Sequence, residues 1–181
     1  MRHSYRLIAL FSLFLALPAV LEAQAQVAAP EELNPALPNY LELTPRIGTG
    51  GQPDEAGMKQ LAEKGYKYVI NIRASGEKVD FAAEEKQAMD LGLRYYMVPF
   101  SAREPSEGQA LAFTALMSAV KDGKVFVHCG SGARVGSLMM IYLVLEEGMP
   151  PEKAEAEARK VGLRSPDLLQ FAKQVIDRHK K

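Results

Sequence analysis

The chain has 181 residues, with 22 basic against 22 acidic side chains, three histidines and one cysteine. Zero formal charge excludes the simplest route to nucleic-acid binding, which needs a basic surplus to displace phosphate counterions. A single cysteine excludes an intrachain disulfide and a multi-thiolate zinc site, and 48% hydrophobic residues over this length suit one folded domain.

Arg2 and Arg6 make a basic start, Leu7 to Leu21 is apolar apart from Ser12, and Ala23-Gln24-Ala25 supplies a small-x-small cleavage pattern. The segment predicts a signal peptide over 1–25 and a secreted, periplasmic protein. Its apolar stretch falls short of the about 20 residues a membrane span needs, so no stable membrane insertion is expected after cleavage. Removing Arg2, Arg6 and Glu22 leaves 156 residues with 20 basic and 21 acidic side chains. Residues 26–39, with Pro30, Pro35 and Pro38, read as an extended leader onto a domain spanning 40–181.

Within that domain, strands and helices alternate. Tyr40–Leu43 and Arg46–Thr49 are short strand candidates. Asp54 caps a helix that stops at Gly65. Tyr68-Val69-Ile70 reads as a buried strand, Ala82–Leu91 as a helix ended by Gly92, and Leu93–Val98 as the next strand. Ser106 and Gln109 have capping-box spacing before a helix with Phe113, Leu116, Met117 and Val120 on one face. Lys124–His128 is a short strand. Leu138–Leu145 is apolar throughout, so its helix is buried on all sides. Pro151–Val161 is a charge-rich exposed helix, and Ser165 with Pro166 opens the last one. The pattern is α/β, a central sheet flanked by helices with a C-terminal helical run.

The chemistry sits in His128-Cys129-Gly130-Ser131-Gly132-Ala133-Arg134, where a buried strand turns into the buried helix. Gly130, Ser131, Gly132 and Ala133 let the backbone fold into a ring whose N–H groups, with the helix N-terminus, hold an anion. Arg134 adds a fork for two oxygens of that anion. The same field favours Cys129 as thiolate, a nucleophile aimed at the anion it binds. His128 reads as a structural residue that fixes the loop through backbone carbonyls. Asn71 and Arg73, at the end of a central strand, read as supports for the loop.

This stretch resembles the cysteine-dependent phosphatase superfamily, whose loop reads His-Cys-x5-Arg. The chain is more closely similar to a bacterial family of small phosphatase-like domains, DUF442, known from fusions to β-lactamase-like hydrolases. The resemblance rests on Gly51-Gln52-Pro53, on Val69-Ile70-Asn71-Ile72-Arg73 and on Cys129–Arg134 followed by Val135-Gly136, and covers about residues 40–178. It implies a dual-specificity-phosphatase-like fold, with Cys129 as nucleophile and Arg134 as anion ligand. A phosphorylated substrate would then react through a phosphocysteine, with no metal or cofactor.

Two departures keep other readings open. Four residues rather than five separate Cys129 from Arg134, the spacing of rhodanese-like sulfurtransferases, whose substrate carries sulfur and whose cysteine holds a persulfide. The loop 100–107 holds no aspartate to protonate a leaving alcohol; Glu104 is the best substitute there and Glu107 the next. A phosphatase, a sulfurtransferase and a non-catalytic anion- or partner-binding module all fit these residues.

Overall fold

The structure is a computed structural model and describes residues 34–180. The expected signal peptide and most of the expected leader lie outside the described residues. Among those described, the strands are β1 (Leu41–Glu42), β2 (Ile47–Gly50), β3 (Tyr66–Asn71), β4 (Arg94–Met97) and β5 (Lys124–His128). The helices are α1 (Glu55–Glu63), α2 (Phe81–Asp90), α3 (Glu107–Ala119), α4 (Ala133–Leu145), α5 (Pro151–Val161) and α6 (Pro166–His179).

The sheet has the order β1-β2-β5-β3-β4, with β1 antiparallel and the other four strands parallel. The register places Gly50, His128, Asn71 and Met97 side by side at the C-terminal edge. In open parallel sheets this is the edge where ligands bind, because the loops leading into the helices converge there. β5 alternates as a strand buried on both faces must. Val125 and Val127 join the core under α3, α4, α5 and α6, while Phe126 packs with Met58 and Leu61 of α1 and Ala88 of α2. Along β3, Tyr68 and Ile70 face the first core, Tyr66 and Val69 the second. That spacing needs an extra residue, and the pairing with β5 slips between Tyr66 and Tyr68, leaving Lys67 as the bulge.

Local chemistry explains the helix starts. Asp54, Asp80 and Ser165 each accept a backbone N–H of the first helical turn, from Gly57 at 2.8 Å, Ala83 at 3.0 Å and Leu168 at 3.3 Å. Ser106 takes the N-cap position of α3 but makes no side-chain bond there, so the capping-box reading is corrected to a plain helix start. α4 is the buried axis of the helical layer, with every residue from Val135 to Val144 inaccessible or nearly so. Gly136 permits this: a Cβ there would lie 2.7 Å from the Ala158 carbonyl oxygen, so α5 could not pack as closely against any other residue.

The end of the expected leader is not extended. Residues 34–39 turn back on the domain and bury Ala36 and Leu37, the latter only 1% exposed beside Met58 and Phe126. Prolines spaced by apolar residues can pack as readily as they can extend, and here Ala36 and Leu37 find a hydrophobic surface to cover.

Candidate active site

β5 carries the chain to the C-terminal edge with its side chains alternating between the two faces. His128 therefore points to the α2 side and Cys129 to the opposite side, in the core under the four C-terminal helices. Cys129 is 1% exposed, and its backbone N–H bonds the Gly50 carbonyl at 3.4 Å. Gly130–Gly132 then turn the backbone into α4. Gly132 caps the helix with φ +93°, in the left-handed region, and a Cβ on it would lie 2.9 Å from the Val161 carbonyl oxygen. In this conformation the Gly132 N–H donates to the Cys129 sulfur at 3.1 Å.

Two neighbouring segments hold the outside of the loop. The Gln52 N–H bonds the Gly130 carbonyl at 3.3 Å, and the Asn39 side-chain amide donates to the Ser131 carbonyl at 3.1 Å. Gly51 lies between them: a Cβ there would come within 2.9 Å of the Gly130 oxygen and 3.2 Å of the Pro38 oxygen. The Gly51-Gln52-Pro53 motif is thus a place of close backbone approach.

Arg134, in the first turn of α4, is gripped by a residue the sequence reading missed. Both Glu77 carboxylate oxygens accept from it, Oε1 from Nη1 and Oε2 from Nη2, the latter at 3.1 Å. Nη1 also donates to the Phe100 carbonyl at 3.2 Å. Glu77 stands on the β3–α2 connection, where it also accepts from the Ala74 N–H and from Arg73 Nε at 2.8 and 2.9 Å. Arg73 reaches on to Gln52 Oε1 at 2.9 Å, so one polar chain runs Gln52–Arg73–Glu77–Arg134. The Arg134 guanidinium, aided by Ala74 and Arg73, holds the Glu77 carboxyl down to about 2 against the burial that would raise it. For Arg134 itself, burial opposes the charge, but hydrogen bonds to Glu77 and attraction to Cys129 prevail and raise it above its ordinary value.

Asn71 and His128 pair in register on β3 and β5, and both side chains face α2. Asn71 donates to Glu84 Oε2 at 3.1 Å and to the Tyr95 hydroxyl at 2.9 Å, and its own oxygen accepts the Arg73 N–H at 2.8 Å. Burial and the Glu84 charge push the Tyr95 hydroxyl well above its usual range. His128 Nε2 lies 2.9 Å from Glu84 Oε1, within ion-pair range but off the angle of a hydrogen bond, so neither ring nitrogen makes a directed bond. The expected bond from His128 to loop carbonyls is therefore corrected: the histidine supports the sheet from behind, stacked on Phe126 at 5.8 Å. Of the supporting residues, Arg73 reaches Arg134 through Glu77, and Asn71 fixes the Arg73 backbone.

Glu104 lies exposed on the 101–106 loop, its N–H bonding Ser101 Oγ at 3.2 Å, and no described contact joins its carboxylate to Cys129 or Arg134. Glu107 is committed elsewhere, to Arg178 and His179 at 2.8 and 2.7 Å. A cleft of about 860 Å³ at the far ends of α3 and α4 includes Thr114, Met149 and His179 but no residue of the cysteine loop. The missed residues Glu77, Gln52 and Asn39 carry no sequence signal for Arg134 or the loop beyond Gln52 lying in the Gly51-Gln52-Pro53 motif.

A parallel strand followed directly by cysteine, a glycine turn aiming an N–H at the sulfur and an arginine in the first turn of the next helix define a cysteine-dependent phosphatase-like domain. Comparison with known proteins agrees. The chain belongs to the phosphatase-like family whose model, described as DSP-PTPase phosphatase fused to NAD+ kinase, matches residues 35–177. It is 31% identical over 119 residues to a beta-lactamase hydrolase-like protein of Xylella fastidiosa, covering 64% of this chain and 27% of that protein. A protein of the same description from Agrobacterium fabrum is 31% identical over 109 residues, covering 59% and 25%. The chain thus spans about a quarter of the length of these curated relatives. Among solved structures it is similar to a putative phosphatase (DUF442) from Shewanella putrefaciens, with TM-score 0.71, 21% identity, and 80% and 95% of the two chains covered. It is also similar to TpbA of P. aeruginosa, with TM-score 0.61, 19% identity, and 80% and 86% covered. These likenesses establish the fold; the DUF442 resemblance read from the motifs stands.

Proposed function

We propose that the protein is a phosphatase that hydrolyses a phosphate monoester through a phosphocysteine. The observation that carries this reading is the joint aim of two groups. The Gly132 N–H donates to the Cys129 sulfur, and the Arg134 guanidinium, held end-on by Glu77, is attracted to the same sulfur. Cys129 Sγ attacks phosphorus, the bond to the leaving oxygen breaks, and the equatorial oxygens gather on Arg134 and the amides of Gly130–Ala133. Water then attacks phosphorus, the S–P bond breaks, and inorganic phosphate leaves.

Glu104 is the proposed proton donor to the leaving oxygen and acceptor from the water. It lies exposed on the loop that follows Phe100, whose carbonyl accepts from Arg134. Export through residues 1–25 to the periplasm is proposed on the sequence pattern alone.

A second reading, transfer of sulfane sulfur through a Cys129 persulfide, is favoured by the four-residue spacing between Cys129 and Arg134. The test offers the purified chain an aryl phosphate and, separately, thiosulfate with cyanide. Phosphate release without thiocyanate is expected. Thiocyanate without phosphate would transfer the site to sulfur chemistry, and neither product would make it a binding module.

A further inference from the structure

We propose that Asn39 is a positioning residue for the nucleophile: by holding the Ser131 carbonyl from outside, it aims the Gly132 N–H at the Cys129 sulfur. The peptide between Ser131 and Gly132 links the two bonds. A trans peptide is planar, and its C=O and N–H point in opposite directions. Its two ends are both occupied, the oxygen by Asn39 Nδ2 at 3.1 Å and the N–H by the sulfur at 3.1 Å. Fixing one end therefore fixes the other.

The peptide needs such a hold. It ends in Gly132 at φ +93°, beside Gly130, where glycine leaves the backbone free to rotate. A rotated peptide would turn the carbonyl oxygen toward the thiolate and remove the N–H donor. The preceding peptide is fixed in the same sense by the Gln52 backbone N–H on the Gly130 oxygen. Only at Ser131 does a side chain make the outward bond.

Asn39 is itself held for this task. Among the described residues it is the only non-glycine with positive φ, at +53°. Asparagine tolerates that region better than most residues, and its occurrence in an ordered segment is a strained position held by its surroundings. Those surroundings are Leu37, buried beside α1, the Gly51 N–H on the Pro38 carbonyl at 2.7 Å, and the Tyr40 N–H on the Leu37 carbonyl at 3.2 Å. The segment 34–40 is thus a strap between a core anchor and the cysteine loop, and Asn39 is its contact with the reacting centre.

The inference rests on Cys129 being the nucleophile of the proposed reaction, but its test reads the thiol directly. Cys129 is the sole cysteine, so alkylation of the full chain by iodoacetamide reports on it alone. Asn39→Gly removes the donor while suiting the positive φ, and Asn39→Asp keeps the shape but cannot donate from an ionised carboxylate. Both variants are expected to alkylate about 3–10-fold more slowly than the parent at about pH 6, the effect of losing one neutral hydrogen bond. At about pH 10, where an ordinary thiol is ionised, their rates should match the parent's. An unchanged rate at the lower pH, an equal loss at both, or slowing in Asn39→Asp alone would overturn the proposal. The first outcome means no effect, the second altered access, and the third the added charge. Failure of the parent to release phosphate would overturn the proposed function and leave this comparison intact.

Discussion

Glu77 meets Arg134 end-on, each carboxylate oxygen facing one terminal nitrogen of the guanidinium, and Arg73 shares the Oε2 that Arg134 Nη2 contacts. A guanidinium fixed in this way keeps its plane, and its Nη2 stays beside the cysteine loop, where a Cβ on Gly130 would lie 3.8 Å from it. Glu77 is thus the residue that fixes the Arg134 guanidinium.

Glu77→Gln keeps the shape and removes the charge that pairs with two arginines. The expected result is a fall in kcat/KM on an aryl phosphate of about 10–100-fold, the usual cost of a misplaced catalytic group. Stability should fall by about 1–3 kcal/mol. Steady-state kinetics and urea unfolding of parent and variant measure both. A variant with the parent's kcat/KM would show that Arg134 needs no anchor.

The same pair sets a pH dependence. Glu77 titrates at about 2 in the folded chain, below its ordinary value, so its contribution to stability is complete above the ordinary carboxylate range. It is lost as pH falls from about 4.5 toward 2. Asp122 is lowered into the same region by Lys67, so the parent's acid sensitivity is not Glu77's alone. The difference between parent and Glu77→Gln isolates it: the two unfolding free energies should converge as pH falls through that window. Curves that stay parallel would contradict the assignment.

Cys129→Ser and Arg134→Lys separate the proposed nucleophile from the proposed anion ligand. The serine variant should lose turnover entirely yet still bind a tetrahedral oxyanion such as tungstate, because the loop amides and Arg134 remain. The lysine variant should bind it about 10–100-fold more weakly, since an ammonium cannot use a fork and cannot meet Glu77 with two bonds. Calorimetric titration of both proteins decides. Unimpaired binding in Arg134→Lys would place the anion elsewhere.

Most of the scaffold was legible because local chemistry and tertiary packing agree. Asp54, Ser165-Pro166 and the apolar run 138–145 each specify their element by capping or periodicity, and the structure has them where expected. Lys124–His128 and Pro151–Val161 match to the residue. The cysteine loop was legible for the same reason, since cysteine, glycines and arginine are close in sequence. What was hidden depends on contacts far apart in sequence. Glu77 is separated from Arg134 by 57 positions and Asn39 from Ser131 by 92. Nothing about an isolated glutamate in a Ser-Gly-Glu-Lys turn distinguishes an arginine anchor from a solvated charge. Leu37 was misread because a proline-flanked leucine reveals its partner only when β3 and α1 assemble beside it.

Gly136→Ala probes the packing that seats the loop. The added methyl would lie 2.7 Å from the Ala158 oxygen and 2.9 Å from the Leu163 backbone nitrogen, and a rigid helix pair cannot yield locally. Overpacking of this kind costs about 1–3 kcal/mol. Because Val161 and Gly162 abut Gly132, separation of α4 and α5 should also loosen the cysteine loop. Thermal unfolding and iodoacetamide alkylation should therefore change together, with a lower melting temperature and faster alkylation at high pH. A lower melting temperature with unaltered alkylation would show that the loop is insulated from the α4–α5 contact.

His128 adjoins Cys129 in sequence but is separated from it by the sheet. Strand alternation sends its ring to the α2 side, where it stacks on Phe126 and faces Glu84, while Cys129 faces the opposite core. It therefore has no path to accept the Cys129 proton or to reach a leaving group. His128→Gln is expected to lower stability by about 1–3 kcal/mol through the disturbed Glu84–Asn71 cluster. The fall in kcat/KM should be less than about tenfold, short of the loss expected on removing a general acid or base. The decisive measurement is the pH–rate profile, which should keep both limbs in the variant. Loss of a limb would make His128 a proton carrier and require the sheet edge to open.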